Sequence, residues 1–235
     1  MDVKESTPIS VPRSCTYWVK GSSATFTLCG FCDASLRAYA AVVYLVTETD
    51  VSTEVAFLVL VSPLQSQTIP RLELLSAFLL SKLITSVADS LSSTLPSLSL
   101  RCYTDSQVAL YWIRGTMKEW KPFVSNRVKD IRGRVHPDHW SHCPGTSNPA
   151  DLPSRGMTSL ELSVNQLWRH GPEWLQMGFE PCVSNAVQEM SNECATEIKN
   201  VKSHSLISAQ SSTAIEAVIE PTRYSTLSRS NCNGT

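Results

Sequence analysis

FTLCGFCDASLRAYAAVVYLV, residues 26–46, contains two strand-like runs around a polar break. Residues 26–33 are rich in aromatic and small apolar side chains and end on Asp33-Ala34-Ser35. Residues 39–46 are β-branched and aromatic almost throughout. Residues 54–61 form a further apolar run after a polar Glu48-Thr49-Asp50 turn. Three such runs with short polar breaks predict an antiparallel meander.

Beyond the meander the period changes. Leu72, Leu75, Leu79 and Leu83 recur at helical spacing, and Leu74, Phe78 and Leu80 widen the apolar surface. This predicts a well-buried helix over residues 68–90, with Thr68 as N-cap and Pro70 in its first turn. A Ser-rich loop with Pro96 leads to a fourth strand at residues 99–104. Asp105 ends that strand, and Ser106 is placed to cap a short helix reaching Ile113. A fifth strand is predicted at residues 139–143, turned by Pro144-Gly145. Asn148-Pro149-Ala150-Asp151 then opens a helix, with Asn148 as N-cap and Pro149 at the first position.

The 235 residues suit one domain of about 150 residues with extensions. Residues 1–25 read as an N-terminal arm, residues 26–177 as the domain, and residues 178–235, dominated by Ser, Asn, Thr and Glu, as a disordered linker or tail. Hydrophobic residues make up 42% and charged residues 17%, enough for a packed core. The net charge of -1 does not announce a nucleic-acid binder, so any such surface is local. The eight scattered cysteines read as reduced thiols of an intracellular protein. The polar start lacks the core of a signal peptide. No apolar run looks long enough to span a bilayer, and no membrane partner is expected.

Single acids mark the strand ends and helix starts: Asp33 after the first strand, Glu73 in the first turn of the long helix, Asp105 after the fourth strand, and Asp151 in the first turn of the last helix. If the first and fourth strands are neighbours, Asp33 and Asp105 lie side by side. Glu73 and Asp151 then project toward them from flanking helices. Carboxylates gathered in one cleft repel one another unless a cation sits among them. Hard divalent cations take oxygen ligands, and two such ions about 4 Å apart support phosphodiester hydrolysis. Each acid also has a plainer reading. Asp33-Ala34-Ser35 can be a turn, Glu73 can answer the helix dipole, and Asn148-x-x-Asp151 resembles a capping box.

Several motifs, taken in order, resemble the ribonuclease H domain of BEL/Pao retrotransposons. They are Phe31-Cys32-Asp33-Ala34-Ser35, Thr68-Ile69-Pro70-Arg71-Leu72-Glu73-Leu74, Tyr103-Thr104-Asp105-Ser106, Trp120-Lys121-Pro122-Phe123, Trp140-Ser141-His142-Cys143-Pro144-Gly145 and Asn148-Pro149-Ala150-Asp151-Leu152-Pro153-Ser154-Arg155-Gly156. The similarity runs over roughly residues 10–175. The resemblance implies an α/β fold with a mixed five-stranded sheet, three antiparallel strands followed by parallel ones, and flanking helices. It implies that Asp33, Glu73, Asp105 and Asp151 are the catalytic and metal-binding acids of a site for two Mg²⁺ ions, with Mn²⁺ able to substitute. The implied activity is cleavage of the RNA strand of an RNA–DNA hybrid by water, with no covalent enzyme intermediate. The implied partners are that hybrid and the reverse transcriptase and integrase regions of a parent polyprotein. Two departures stand out. Thr146 follows Pro144-Gly145 where many ribonucleases H carry a histidine, and the stretch from Phe57 to Pro63 is shorter than in the family.

Residues 114–135 carry seven Lys and Arg side chains interleaved with Phe123 and, at or beside the stretch, Trp112 and Trp120. Among them Lys118, Lys121, Arg127 and Lys129 are candidates for phosphate contact. The plainer reading is a solvated helix face. A second functional reading is an inactive retrotransposon-derived remnant or nucleic-acid-binding module. An aspartic peptidase, which such elements also encode, needs two Asp-Thr/Ser-Gly turns, and the chain has none. Cys29-Gly30-Phe31-Cys32 is a poor metal or redox pair, because the two thiols point to opposite faces of a strand.

Overall fold

In the computed structural model of this chain, the described residues are 24–61, 67–95, 97–115, 119–177 and 192–198. Five strands form one sheet in the order β3-β2-β1-β4-β5: β1 (Thr25–Ala34), β2 (Tyr39–Glu48), β3 (Thr53–Val61), β4 (Leu98–Thr104) and β5 (Trp140–His142). β1, β2 and β3 pair antiparallel, while β4 runs parallel to β1 and β5 parallel to β4. This is the mixed five-stranded α/β architecture expected from the motifs. The short Phe57–Pro63 stretch still yields a third strand of nine residues, whose pairing with β2 shifts by an irregularity at Val43/Tyr44.

β1 is central and buried on both faces, so its side chains divide by parity. Phe26, Leu28 and Cys32 face one core with Ala41, Val43 and Leu45, while Cys29 and Phe31 face another with Val42 and Tyr44. Cys29 and Cys32 therefore lie on opposite faces, both as buried free thiols.

Helix α1 (Ile69–Leu91) covers the first face through Leu74, Ala77, Leu80 and Ile84. It passes closest at Gly30, where a Cβ would lie 2.5 Å from Leu80 Cδ1, so a glycine is needed for that approach. By length and composition alone α1 would pass for a membrane span, which corrects the view that no stretch is long enough. Its contacts with β1, β2 and α3 (Pro122–Arg134) identify it as the core helix of a packed domain. Thr68 is the N-cap by position, but its side chain makes no cap bond, and Glu73 lies one turn further in than the first turn.

α2 (Gln107–Arg114) follows β4 and is capped as predicted, with Ser106 Oγ accepting from the Ala109 amide. Its last carbonyls are held from α3. The Arg132 guanidinium donates to Trp112 O (3.2 Å), Ile113 O (2.8 Å) and Gly115 O (2.6 Å). The second sheet face is covered by α4 (Asp151–Ser154), α5 (Ser159–Val164), α6 (Gln166–His170) and the turn Glu173–Leu175. Phe31 stacks on Tyr103 at 5.0 Å, Trp174 meets Tyr103 at 5.0 Å, and Tyr44 Oη donates to Trp168 O at 2.7 Å.

The fifth strand is shorter than expected. His139 ends a 3-10 turn, Pro137–His139, and the strand holds only Trp140, Ser141 and His142. Within the stretch expected to be a linker, residues 192–198 instead pack on the domain: helix α7 (Asn192–Thr196), a bridge from Ile198 to Trp120, and Cys194 in the first core. Residues 1–23 of the expected arm and the rest of the expected tail lie outside the described residues.

Candidate active site

The parallel register pairs Cys32 with Thr104, so the next residues along each strand, Asp33 and Asp105, emerge side by side. Parity sends both to the face of Phe31 and Tyr103. Asp33 is only 5% exposed, and its carboxyl shares a hydrogen bond with that of Asp105. Burial, then the Asp105 charge, push Asp33 up to about 7 despite a hydrogen bond from Ser154. Asp105 is also raised, chiefly by burial, with the Glu73 and Asp151 charges adding to it. Two acids this close titrate as a pair and hold a proton well above the ordinary carboxylate range.

A scaffold of short-range bonds holds the pair. Ser154 Oγ donates to Asp33 Oδ2 and also lies 2.9 Å from Asp151 O. Ser35 Oγ donates to Ser154 O, fastening the start of the β1–β2 turn to α4. Asn148 is fully buried, and its Nδ2 donates to Cys32 O at 3.0 Å while its Oδ1 accepts from the Ala150 amide at 3.1 Å. Asn148 is thus not the N-cap of α4, which is Ala150, and the expected capping box is absent there. The reason is positional: Asn148 sits two residues too early, and its carboxamide pins the loop to the end of β1. A capping box does occur nearby, between Thr158 and Glu161 at the start of α5. Gly145 closes the site from the β5 side, where a Cβ would lie 3.1 Å from Asp105 Oδ2. Thr146, at the position of the missing histidine, is exposed.

The two remaining acids are near but separately engaged. Glu73 Oε2 accepts from Ser106 Oγ, the same hydroxyl that caps α2. Asp151 Oδ1 accepts from Arg155 Nε at 2.6 Å, one turn along the helix. Asp151 follows the fifth strand as predicted, in the first turn of α4, although α5 and α6 come after it. Among the described residues no three His, Cys, Asp or Glu side chains stand as a ready-made metal cage. Asp33 and Asp105 are in contact, and Glu73 and Asp151 lie within electrostatic reach of that pair. The donor set fits a hard divalent cation. It is all carboxylate oxygen, it is partly buried, and its repulsion is relieved by a proton or by a positive ion.

The basic candidates fare differently. Lys118 lies outside the described residues. Lys121 is exposed, and its Nζ donates to Thr196 O at 2.7 Å. The Arg127 guanidinium lies over the Phe123 ring at 3.9 Å, and Lys129 is exposed on α3. Trp120 is 4% exposed and packs against Trp112 and Tyr111, so it is a core residue and not a stacking platform. Ser154, Arg155 and Gly145 are site residues that sequence reasoning did not assign a role. All three stand inside the quoted closing motifs, but no local pattern shows what they touch.

Partial similarity is found to solved structures. The RNase H1 of Halobacterium salinarum NRC-1 matches with a TM-score of 0.35 and 13% identity, over 54% of this chain and 90% of that one. The N-terminal RNase H domain of a Mycobacterium tuberculosis protein, solved as a maltose-binding-protein fusion, matches with a TM-score of 0.36 and 14% identity, over 57% and 95%. LC11-RNase H1 in complex with an RNA/DNA hybrid matches with a TM-score of 0.35 and 14% identity, over 59% and 99%. No curated relative matches the chain at a significant level. Residues 1–106 match the family described as Pao retrotransposon-like RNaseH-like domain, a span that holds Asp33, Glu73 and Asp105 and stops before Asp151. Residues 1–106 are thus similar to a Pao retrotransposon-like RNaseH-like domain, and the described residues fold into a mixed sheet of order β3-β2-β1-β4-β5 with acids at the ends of β1 and β4.

Proposed function

We propose that the domain is a divalent-metal-dependent endonuclease that cleaves the RNA strand of RNA–DNA hybrids. The observation that carries this reading is the pair of buried Asp33 and half-buried Asp105 at adjacent parallel strand ends, held in contact although both are acids. Such an arrangement is costly as two bare carboxylates and becomes favourable with a cation between them. Asp33, Glu73, Asp105 and Asp151 are the groups that would hold Mg²⁺, two ions in all, with Mn²⁺ as a substitute. Bound there, the ions would supply charge stabilisation to the attacking and leaving oxygens of a phosphodiester.

The chain's own residues have separate tasks. Ser154 orients Asp33 by donating to Oδ2, leaving the rest of that carboxylate to face Asp105. Asn148 locks the 145–151 loop to β1, which sets where Asp151 stands. Ser106 fixes Glu73 relative to α2. Gly145 lets the loop backbone approach Asp105. The aromatic floor of Phe31, Tyr103 and Trp174 keeps the strand ends rigid beneath the acids. No histidine stands at the Thr146 position to move protons, so turnover is expected to be slow.

The substrate proposed for this chain is an RNA–DNA hybrid. The polymerase and integrase regions of a parent polyprotein are proposed as neighbours, and the buried reduced thiols accord with intracellular residence. The test is incubation of the full chain with a labelled hybrid in Mg²⁺ or Mn²⁺, beside Asp105→Asn. RNA-strand cleavage by the parent, lost in the variant and with EDTA, is the expected result. A folded parent that binds the hybrid in low salt with Mn²⁺ and never cuts it would mark a binding module instead.

A further inference from the structure

Residues 192–198 pack on the domain beside Trp120, and two of their contacts are made with the cations Arg71 and Lys121. Glu197, only 9% exposed, meets the guanidinium of Arg71 with both oxygens, Nε to Oε1 at 2.9 Å and Nη2 to Oε2 at 3.3 Å. Lys121 is held twice by the same segment: its amide donates to Glu197 O at 2.7 Å, and its Nζ to Thr196 O at 2.7 Å. Ile198 bridges Trp120, and Cys194 is buried at the core edge. Arg71 and Arg127 both lie over the Phe123 ring, at 4.7 and 3.9 Å, so two cations share one aromatic side chain. Arg71 stands two residues before Glu73 on α1, at the end of the helix nearest the carboxylates.

A two-pronged carboxylate on an arginine fork has the geometry of a phosphate on the same fork, since both present paired oxygens at similar spacing. We propose that Arg71, with Lys121 beside it, is a binding site for a nucleic-acid backbone phosphate, and that Glu197 occupies it from within the chain. Residues 192–198 are then an internal competitor. The domain takes up nucleic acid on this face by displacing Glu197, and the phosphate inherits the Arg71 fork. The proposal rests on a nucleic-acid substrate. It also accounts for the burial of Glu197.

The test compares binding of labelled RNA–DNA hybrid and plain duplex DNA by the full chain, by Glu197→Gln, and by Glu119→Gln as an exposed one-charge control, without divalent metal. Glu197→Gln is expected to bind both nucleic acids several-fold tighter than the parent. The slope of log affinity against log salt is expected to steepen by roughly one phosphate contact. Adding Arg71→Gln to that variant is expected to reverse both changes. Hydrogen exchange at the Lys121 amide supplies a second readout, which nucleic acid should speed in the parent and inorganic phosphate at equal ionic strength should not. Equal affinities for parent and Glu197→Gln, an equal gain in Glu119→Gln, or exposure of the Lys121 amide by free phosphate would each overturn the proposal. Hybrid cleavage by the parent with no effect of Glu197→Gln sinks the competitor alone. Tighter duplex binding by Glu197→Gln with no hybrid cleavage sinks the nuclease reading and leaves the competitor standing.

Discussion

The acids at the ends of β1 and β4 and the cations of α3 are both clusters of like charge, and the fold treats them in opposite ways. Asp33, buried, and Asp105, half-buried, are held together against their own repulsion, with Ser154 bonded to Asp33 and the Gly145 backbone close to Asp105. The cations are dispersed into separate tasks. Arg132 ties down the end of α2, Arg127 lies on Phe123, Lys121 holds the 192–198 segment, and Lys129 is left to solvent. Repulsion that could be relieved by distance has been relieved on α3 and retained at the strand ends. Retained repulsion marks a place where an opposite charge belongs.

The contrast can be broken most forcefully at the acids. Asp105→Asn is expected to lower hybrid cleavage by roughly 10²–10³ or more, the scale of losing one preorganised charge-stabilising group. Equal cleavage by parent and variant, measured in single turnover, would remove the pair from the chemistry. Next in size is Arg132→Ala, which leaves three α2-terminal carbonyls without their donor. A loss of about 1–3 kcal/mol in urea unfolding is expected, with cleavage per folded molecule unchanged. A variant as stable as the parent would show that Arg132 is a solvated surface cation after all.

A smaller effect follows from the sign of the Asp33 shift. Its folded-state value is raised to about 7, so the native state binds a proton more tightly than the unfolded chain does. The associated stability is fully present below the unfolded value and is lost as pH rises through about 7. Asp33→Asn cannot ionise and keeps that stability. In metal-free buffer the variant should melt higher than the parent above pH 7, by about 1 kcal/mol after the altered Ser154 bond is allowed for. The difference should vanish near pH 4, and a constant offset at every pH would contradict the paired-acid account. Smallest of all, Lys129→Gln should flatten the salt dependence of hybrid binding by at most about one contact. No change at all would restrict the phosphate surface to Arg71, Lys121 and Arg127.

The same contrast explains what could be read from sequence. Strand ends and side-chain parity are local properties, so the placement of Asp33 beside Asp105 followed once β1 and β4 were taken as neighbours. The Ser106 cap was legible for the same reason. Asn148 was not, because its bond to Cys32 O spans 116 residues and competes with the cap its local sequence suggests. Ser154 reaches Asp33 across 121 residues, with no periodicity to announce it. The basic stretch was legible as charge only. Whether a lysine or arginine meets solvent, a ring, a helix end or residues 192–198 depends on tertiary neighbours that spacing does not encode.

The most direct test of the cation site is thermal unfolding of the full chain at pH 8, with and without millimolar Mg²⁺, in the parent, Asp33→Asn and Asp105→Asn. A ligand that binds only the folded state raises Tm by mass action. The account predicts a Mg²⁺-dependent rise in the parent that is absent from both variants. A rise of equal size in all three, or none in the parent, would contradict it.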